Sequence, residues 1–131
     1  MNVSNLRFGL DLVAVEVVAR SITDNGSSYV DRIYTPGEIA DSRRGEGIDP
    51  RRLAMRFAVK EATLKVLPAA DEGLDFRSIE LTCDATGRLG VALHGRAAEL
   101  AAGSGIDRLA VSVTGDEWLA AAVVAAEVRT R

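Results

Sequence analysis

A chain of 131 residues, 47% hydrophobic and 27% charged, has the length and balance of one globular domain with a real core, expected over 1–131, and is too short for two. Its net charge of −3 speaks against a general nucleic-acid binder, and a single cysteine, Cys83, excludes an intrachain disulfide and a multi-cysteine zinc site. The lone histidine, His94, leaves carboxylates, lysines, arginines and hydroxyls to carry any chemistry.

Arg7 and Asp11 break the apolar run at the start of the chain. It therefore reads as neither a signal peptide nor a membrane span, and a cytoplasmic protein with no membrane partner is expected. Residues 8–13 read as a first strand. Phe8, Leu10 and Leu12 share one side, and Gly9, Asp11 and Val13 share the other. Residues 15–22 continue as a short helix that Thr23-Asp24-Asn25-Gly26 ends, and 29–33 make a helical turn. Thr35-Pro36-Gly37-Glu38 is a helix start, with Thr as N-cap, Pro at the first helical position and Glu closing a capping box. That helix is expected to reach about Arg44, with a flexible stretch over 45–48. Asp49-Pro50 opens the main helix, which is expected to run to about Leu67 and stop at Pro68.

Residues 79–83 and 89–93 form a hairpin around Asp84-Ala85-Thr86-Gly87. A short helix over 97–102 ends at Gly103 or Gly105. Residues 109–114 and 119–127 form a second hairpin, turning through Gly115-Asp116. This order predicts an α+β fold, a mostly antiparallel sheet packed on one long helix. The core is rich in Ala and Val, and aromatics are only 5%, so it is built from many small contacts that a partner subunit would help complete.

Two features stand out chemically. Asp11 interrupts an apolar strand, where Asp is disfavoured; it is either a cap for the following helix or a functional carboxylate. The main helix is apolar nearly all round, and Glu61 and Lys65 lie within it one turn apart. They read as an ordinary i,i+4 pair or as part of a site, because a buried charge needs a counter-charge or a metal. Another strip carries Arg52, Arg56 and Lys60 at four-residue steps. With Arg43, Arg44, Arg51 and Lys65 they outnumber Glu46, Asp49 and Glu61 over 43–65, a positive patch suited to phosphates or to an acidic protein surface. Two isolated carboxylates beside basic groups describe a magnesium–phosphate site. Cys83 is expected to be a buried strand cysteine, Trp118 a sheet-edge or subunit contact, and His94 structural. Ser112 has no visible base partner, which argues against a hydrolase triad.

The segments Gly9-Leu10-Asp11-Leu12-Val13 and Arg56-Phe57-Ala58-Val59-Lys60-Glu61-Ala62 resemble the two signature motifs of the holo-acyl-carrier-protein synthase family of 4′-phosphopantetheinyl transferases. Weaker matches follow in order. They are the Thr35-x-x-Glu38 helix start, the first hairpin, Leu93-His94-Gly95-Arg96-Ala97 and the closing hairpin through Val111-Ser112-Val113-Thr114. The resemblance implies transfer of 4′-phosphopantetheine from coenzyme A to a serine of an apo acyl carrier protein, giving the holo carrier and 3′,5′-ADP. It implies Asp11 and Glu61 as Mg2+ ligands, Glu61 and Lys65 as catalytic groups, and Arg56, Lys60 and Lys65 as residues contacting coenzyme A. It also implies a homotrimer with active sites at its subunit interfaces.

Three positions depart from the family pattern. Gly115 stands where the closing motif usually has histidine. Pro68-Ala69-Ala70 replaces a Gly-x-Gly loop that lets backbone approach a ligand. The first helix carries Glu16, Val17 and Val18, with Arg20 its only basic residue, where carrier-binding basic residues are common. Two alternatives to an active transferase stand beside it: a relative repurposed for binding, scaffolding or a different reaction, and a module whose basic strip binds an acidic partner.

Overall fold

The computed structural model describes residues 4–68 and 73–130. The elements in order are β1 (Ser4–Ala14), α1 (Val15–Asn25), α2 (Ser27–Ile33), α3 (Pro36–Asp41), β2 (Arg43–Arg44), β3 (Gly47–Ile48) and α4 (Pro50–Leu64). A 3-10 turn (Phe76–Ser78) then leads to β4 (Ile79–Cys83), β5 (Leu89–Leu93), α5 (Gly95–Gly103), β6 (Ile106–Gly115) and β7 (Leu119–Arg129). The main sheet is antiparallel, in the order β1-β7-β6, and β2–β3 and β4–β5 form separate two-stranded ribbons. Helix α4 lies across the main sheet, which is the expected α+β arrangement. No helix among the described residues is long and apolar enough to cross a membrane.

Local chemistry explains where the elements begin and end. Thr35 caps α3 with a complete capping box: its hydroxyl accepts from the Glu38 amide, and the Glu38 carboxylate accepts from the Thr35 amide. Asp49 caps α4 by accepting from the Arg51 amide, with Pro50 at the first helical position. Helix α3 stops at Asp41 rather than near Arg44, because the chain turns out at Ser42 into the ribbon that pairs Arg43 with Ile48 and Arg44 with Gly47. The stretch expected to be flexible is therefore a tight hairpin, with Gly45 at a positive φ of 61°. Helix α4 ends at Leu64, three residues before its expected end.

The core is made of small side chains on both layers. Ala120, Ala122, Val124, Ala126 and Val128 of β7 are buried with Leu53, Ala54, Ala58, Val59 and Ala62 of α4. In β1 the alternation follows the sequence, but its burial is inverted. Gly9, Asp11 and Val13 face the helix, opposite Val124, Ala122 and Ala120 of β7. The large residues Leu6, Phe8, Leu10 and Leu12 point the other way and are 61%, 64%, 60% and 65% exposed. Cys83, expected to be buried, is exposed at the end of β4, and Trp118 is exposed on the turn between β6 and β7.

Helix α4 is held on one flank by a buried ion pair. Lys60 and Glu38 are both 0% exposed, with Nζ 2.6 Å from Oε1. The ammonium also donates to the carbonyls of Phe76 (2.9 Å) and Ile79. The second carboxylate oxygen of Glu38 accepts from the Leu81 amide at 3.1 Å. Burial pulls Lys60 below its ordinary pKa, and the Glu38 charge opposes that pull. Every charge here has partners, the condition under which a buried pair is tolerated. Lys60→Met would strand the Glu38 carboxylate in the core. The expected loss is about 3–5 kcal/mol in urea unfolding, with part of it recovered on adding Glu38→Gln. A loss of under about 1 kcal/mol, the size of an exposed pair, would show that this flank does not depend on the pair.

Candidate active site

Three of the residues singled out in the sequence converge where β1 meets the last turn of α4. Asp11 projects from the helix-facing side of β1, and Glu61 and Lys65 project from α4 and its C-cap. The Lys65 ammonium donates to the Leu10 carbonyl and lies 3.3 Å from Asp11 Oδ1. The ordinary i,i+4 pair is therefore not what forms: Lys65 turns to the strand carboxylate, and Glu61 is left without a hydrogen bond or ion pair among the described residues. Burial, and then the Asp11 charge, push the Glu61 carboxyl above its ordinary pKa, while Lys65 opposes them.

Two half-buried carboxylates with one shared cation form an electrostatically incomplete site. The donors are hard oxygens, and among the described residues no cluster of three or more His, Cys, Asp or Glu exists. That set fits Mg2+, which uses one or two carboxylates and completes its shell with water and phosphate oxygens. It does not fit a zinc site of cysteine and histidine ligands.

The remaining expected residues are not brought to this point. Arg56 lies about 140° round α4 from Glu61. Its side chain is only 11% exposed; Nη1 donates to the Arg52 carbonyl at 3.1 Å, and Nη2 is 4.0 Å from Asp41. Arg56 Nε is buried with no partner among the described residues. Burial pulls this guanidinium below its ordinary pKa. Lys60 was expected to touch coenzyme A, and this must be corrected: fully enclosed and bound to Glu38, it has no surface to offer a ligand. Beside Arg56 the positive patch takes a definite form. Asp49 is buried, and Arg44, Arg51 and Arg52 all lie within 4.0 Å of it, so three guanidiniums share one carboxylate.

Sequence reasoning missed the acidic side of this region. Glu38 serves in the capping box and also as the counter-ion of Lys60. Glu80 accepts from the Thr35 hydroxyl at 2.6 Å and lies 3.0 Å from His94 Nε2, which gives the lone histidine a structural partner. The capping box was legible; its link to Lys60, 22 positions away by their numbers, was not. Ser112 is exposed and has no side-chain partner among the described residues, so none of them forms a triad around it. Gly115 sits against Met55: a Cβ there would lie 3.0 Å from Met55 Cγ. Pro68 is described, but Ala69 and Ala70 of the altered loop lie outside the described residues.

The family model of the 4′-phosphopantetheinyl transferase superfamily matches residues 7–123. A holo-[acyl-carrier-protein] synthase of Solibacter usitatus is 38% identical over 107 residues, 81% of this chain and 85% of its own length. One from Edwardsiella ictaluri is 38% identical over 127 residues, covering 93% and 97%. Among solved structures, the ACPS–CoA complex of Chronobacterium ammoniagenes has a TM-score of 0.80 at 28% identity, covering 97% of this chain and 99% of that one. The chain belongs to the 4′-phosphopantetheinyl transferase superfamily. Within it, the enzyme is a transferase of the holo-acyl-carrier-protein synthase type.

The raised pKa of Glu61 has a measurable consequence. A folded carboxyl that holds its proton too tightly weakens the metal-free fold at neutral pH, and the penalty fades as the pH falls below the usual carboxylate range. Glu61→Gln is expected to raise the thermal midpoint of the metal-free protein at neutral pH and to give no gain in acid. An unchanged midpoint at neutral pH would show that the carboxylate is adequately solvated.

Proposed function

We propose that this chain acts as one domain that transfers 4′-phosphopantetheine from coenzyme A to a serine of an apo acyl carrier protein, with Mg2+ bound at Asp11 and Glu61. The products are the holo carrier and 3′,5′-ADP. The observation that carries this reading is the pair of under-partnered carboxylates, Asp11 and Glu61, near enough at the β1–α4 contact for the Asp11 charge to act on Glu61, with Lys65 on Asp11. The serine oxygen forms a bond to the phosphorus that bears pantetheine. The pyrophosphate bond to the nucleotide half breaks, and 3′,5′-ADP leaves with the electron pair. Bound Mg2+ would offset the charge that builds on the phosphates. Lys65 neutralises the same charge from the protein side, and the Glu61 carboxylate would take the serine proton. Phosphoryl transfer asks mainly for positioning and charge neutralisation, which these residues supply without a protein nucleophile.

Arg56 and the guanidiniums around Asp49 are proposed to hold the phosphates of the nucleotide half. The unpartnered Nε of Arg56 is an available donor, and a guanidinium suits phosphate geometry. Arg56 and Glu61 look out from different sides of α4, so a coenzyme that reaches both is most simply shared between two subunits. The apolar stripe Leu6, Phe8, Leu10 and Leu12 supports a homotrimer closed on the outer face of the main sheet, because four large residues in one row are seldom left to water. The relatives' named activity and the coenzyme in the Chronobacterium complex agree with this reading.

Intact-mass analysis of apo carrier proteins incubated with coenzyme A and Mg2+ tests the reaction. A phosphopantetheine gain is expected on at least one carrier, and Asp11→Ala/Glu61→Ala should slow it by at least about a hundredfold. No gain on any carrier, beside a known transferase that succeeds, would reject the reading. Shared sites predict complementation: an equal mixture of reassembled Asp11→Ala and Arg56→Ala subunits should recover roughly a quarter of wild-type activity, since one interface in four pairs two intact halves. No recovery would place both residues on one subunit's site. Phe8→Asp/Leu10→Asp is expected to yield monomers in sedimentation, and an unchanged mass would remove the stripe from the interface.

A further inference from the structure

Gly9 sits on β1 two residues before Asp11 and on the same face, turned towards α4. A Cβ built on it would lie 1.9 Å from the Ala62 carbonyl oxygen, 2.9 Å from the Ala62 carbonyl carbon and 3.1 Å from Lys65 Cβ. The first two are backbone atoms, so no side-chain rotation relieves them. Every other described glycine would place that atom at 3.0 Å or more from its neighbours. Gly9 is also not among the positive-φ glycines, so the position needs glycine's small size and not its backbone freedom.

The contact adjoins both carboxylates along the chain. Ala62 directly follows Glu61, and Asp11 is the next residue along the same face of β1. Any larger residue at 9 would move strand and helix apart by about 1.5 Å to restore ordinary van der Waals separation. Mg2+ demands near-ideal octahedral geometry at about 2.0–2.1 Å, whereas Ca2+ accepts longer and more variable oxygen distances. A shift of that size therefore spoils a magnesium site more than a calcium site.

We propose that Gly9 is a positioning residue for the transfer reaction: the missing side chain sets the β1–α4 spacing at which Asp11 and Glu61 share one Mg2+. This rests on the metal reading above. A merely packing role would lower stability and leave the affinity of the folded protein, and its preference between the two ions, unchanged.

The test is calorimetric titration of wild type, Gly9→Ala and Asp11→Ala with Mg2+ and with Ca2+, at a temperature where each is folded by circular dichroism. Gly9→Ala is expected to bind Mg2+ about tenfold more weakly or worse, to lose less Ca2+ affinity, and to lower kcat by about a hundredfold with a smaller change in the KM for coenzyme A. Unchanged Mg2+ affinity and an unchanged Mg2+/Ca2+ ratio in folded Gly9→Ala overturn the proposal alone. A wild-type protein that binds no Mg2+, or binding that survives Asp11→Ala, overturns the metal reading and this proposal with it. Should Gly9→Ala fail to fold, amide exchange in the wild type decides. Slower exchange at 9–11 and 62–65 on loading with Mg2+ supports the coupling, and unchanged exchange overturns it.

Discussion

One enclosed ammonium group governs how α4 is seated. Lys60 enters the core from the helix and must find acceptors there. Glu38 of α3, Phe76 of the 3-10 turn and Ile79 of β4 supply them, so three segments remote in sequence are fastened to one point on the helix. The same Glu38 carboxylate ties α3 to the Leu81 amide of β4. With that flank enclosed, the other side of α4 lies against β1 and β7, where glycine, alanine and valine allow a close approach. The positions of Glu61 and Lys65 over Asp11 follow from this seating.

The charged residues of α4 divide by whether their needs are met. Lys60 is fully partnered and has no route to a ligand. Among the described residues Glu61 has no hydrogen-bond or ion-pair partner, Asp11 has only Lys65, and Arg56 keeps a buried donor without an acceptor. Polar groups left short in a desolvated setting are where binding energy for phosphate and a divalent cation is found. That difference separates neighbours in one motif: Lys60 supports the fold, and Glu61 faces the candidate site.

The main sheet shows a similar division between its faces. Its inner face carries Gly9, Asp11 and Val13 beside the small residues of β7, because α4 comes so close to β1 that large side chains have no room there. The bulky Leu6, Phe8, Leu10 and Leu12 are left outside, on the face that no described element covers. An alternating strand was legible in the sequence. Which of its faces would be buried was not, since size and hydrophobicity pointed to the opposite one.

Much of the molecule could be read from local rules. The capping box at Thr35, the Asp49-Pro50 start of α4 and both hairpins depend on residues a few positions apart. Asp11, Glu61 and Lys65 stood out because charge is rare in apolar segments. Three other facts had no local signal. The strip Arg52, Arg56 and Lys60 looked uniform in sequence, yet it runs from solvent through a half-hidden guanidinium into the core. Arg43–Arg44 left the preceding helix because a strand partner lay at Gly47–Ile48. Cys83 proved exposed because it ends its strand. The sequence by itself determined the elements, their caps and the identity of the costly charges, since these are set by neighbours along the chain. Only the tertiary structure decided which charges were neutralised, which face of β1 was covered and how near Asp11 comes to Glu61, because those depend on partners brought together by folding.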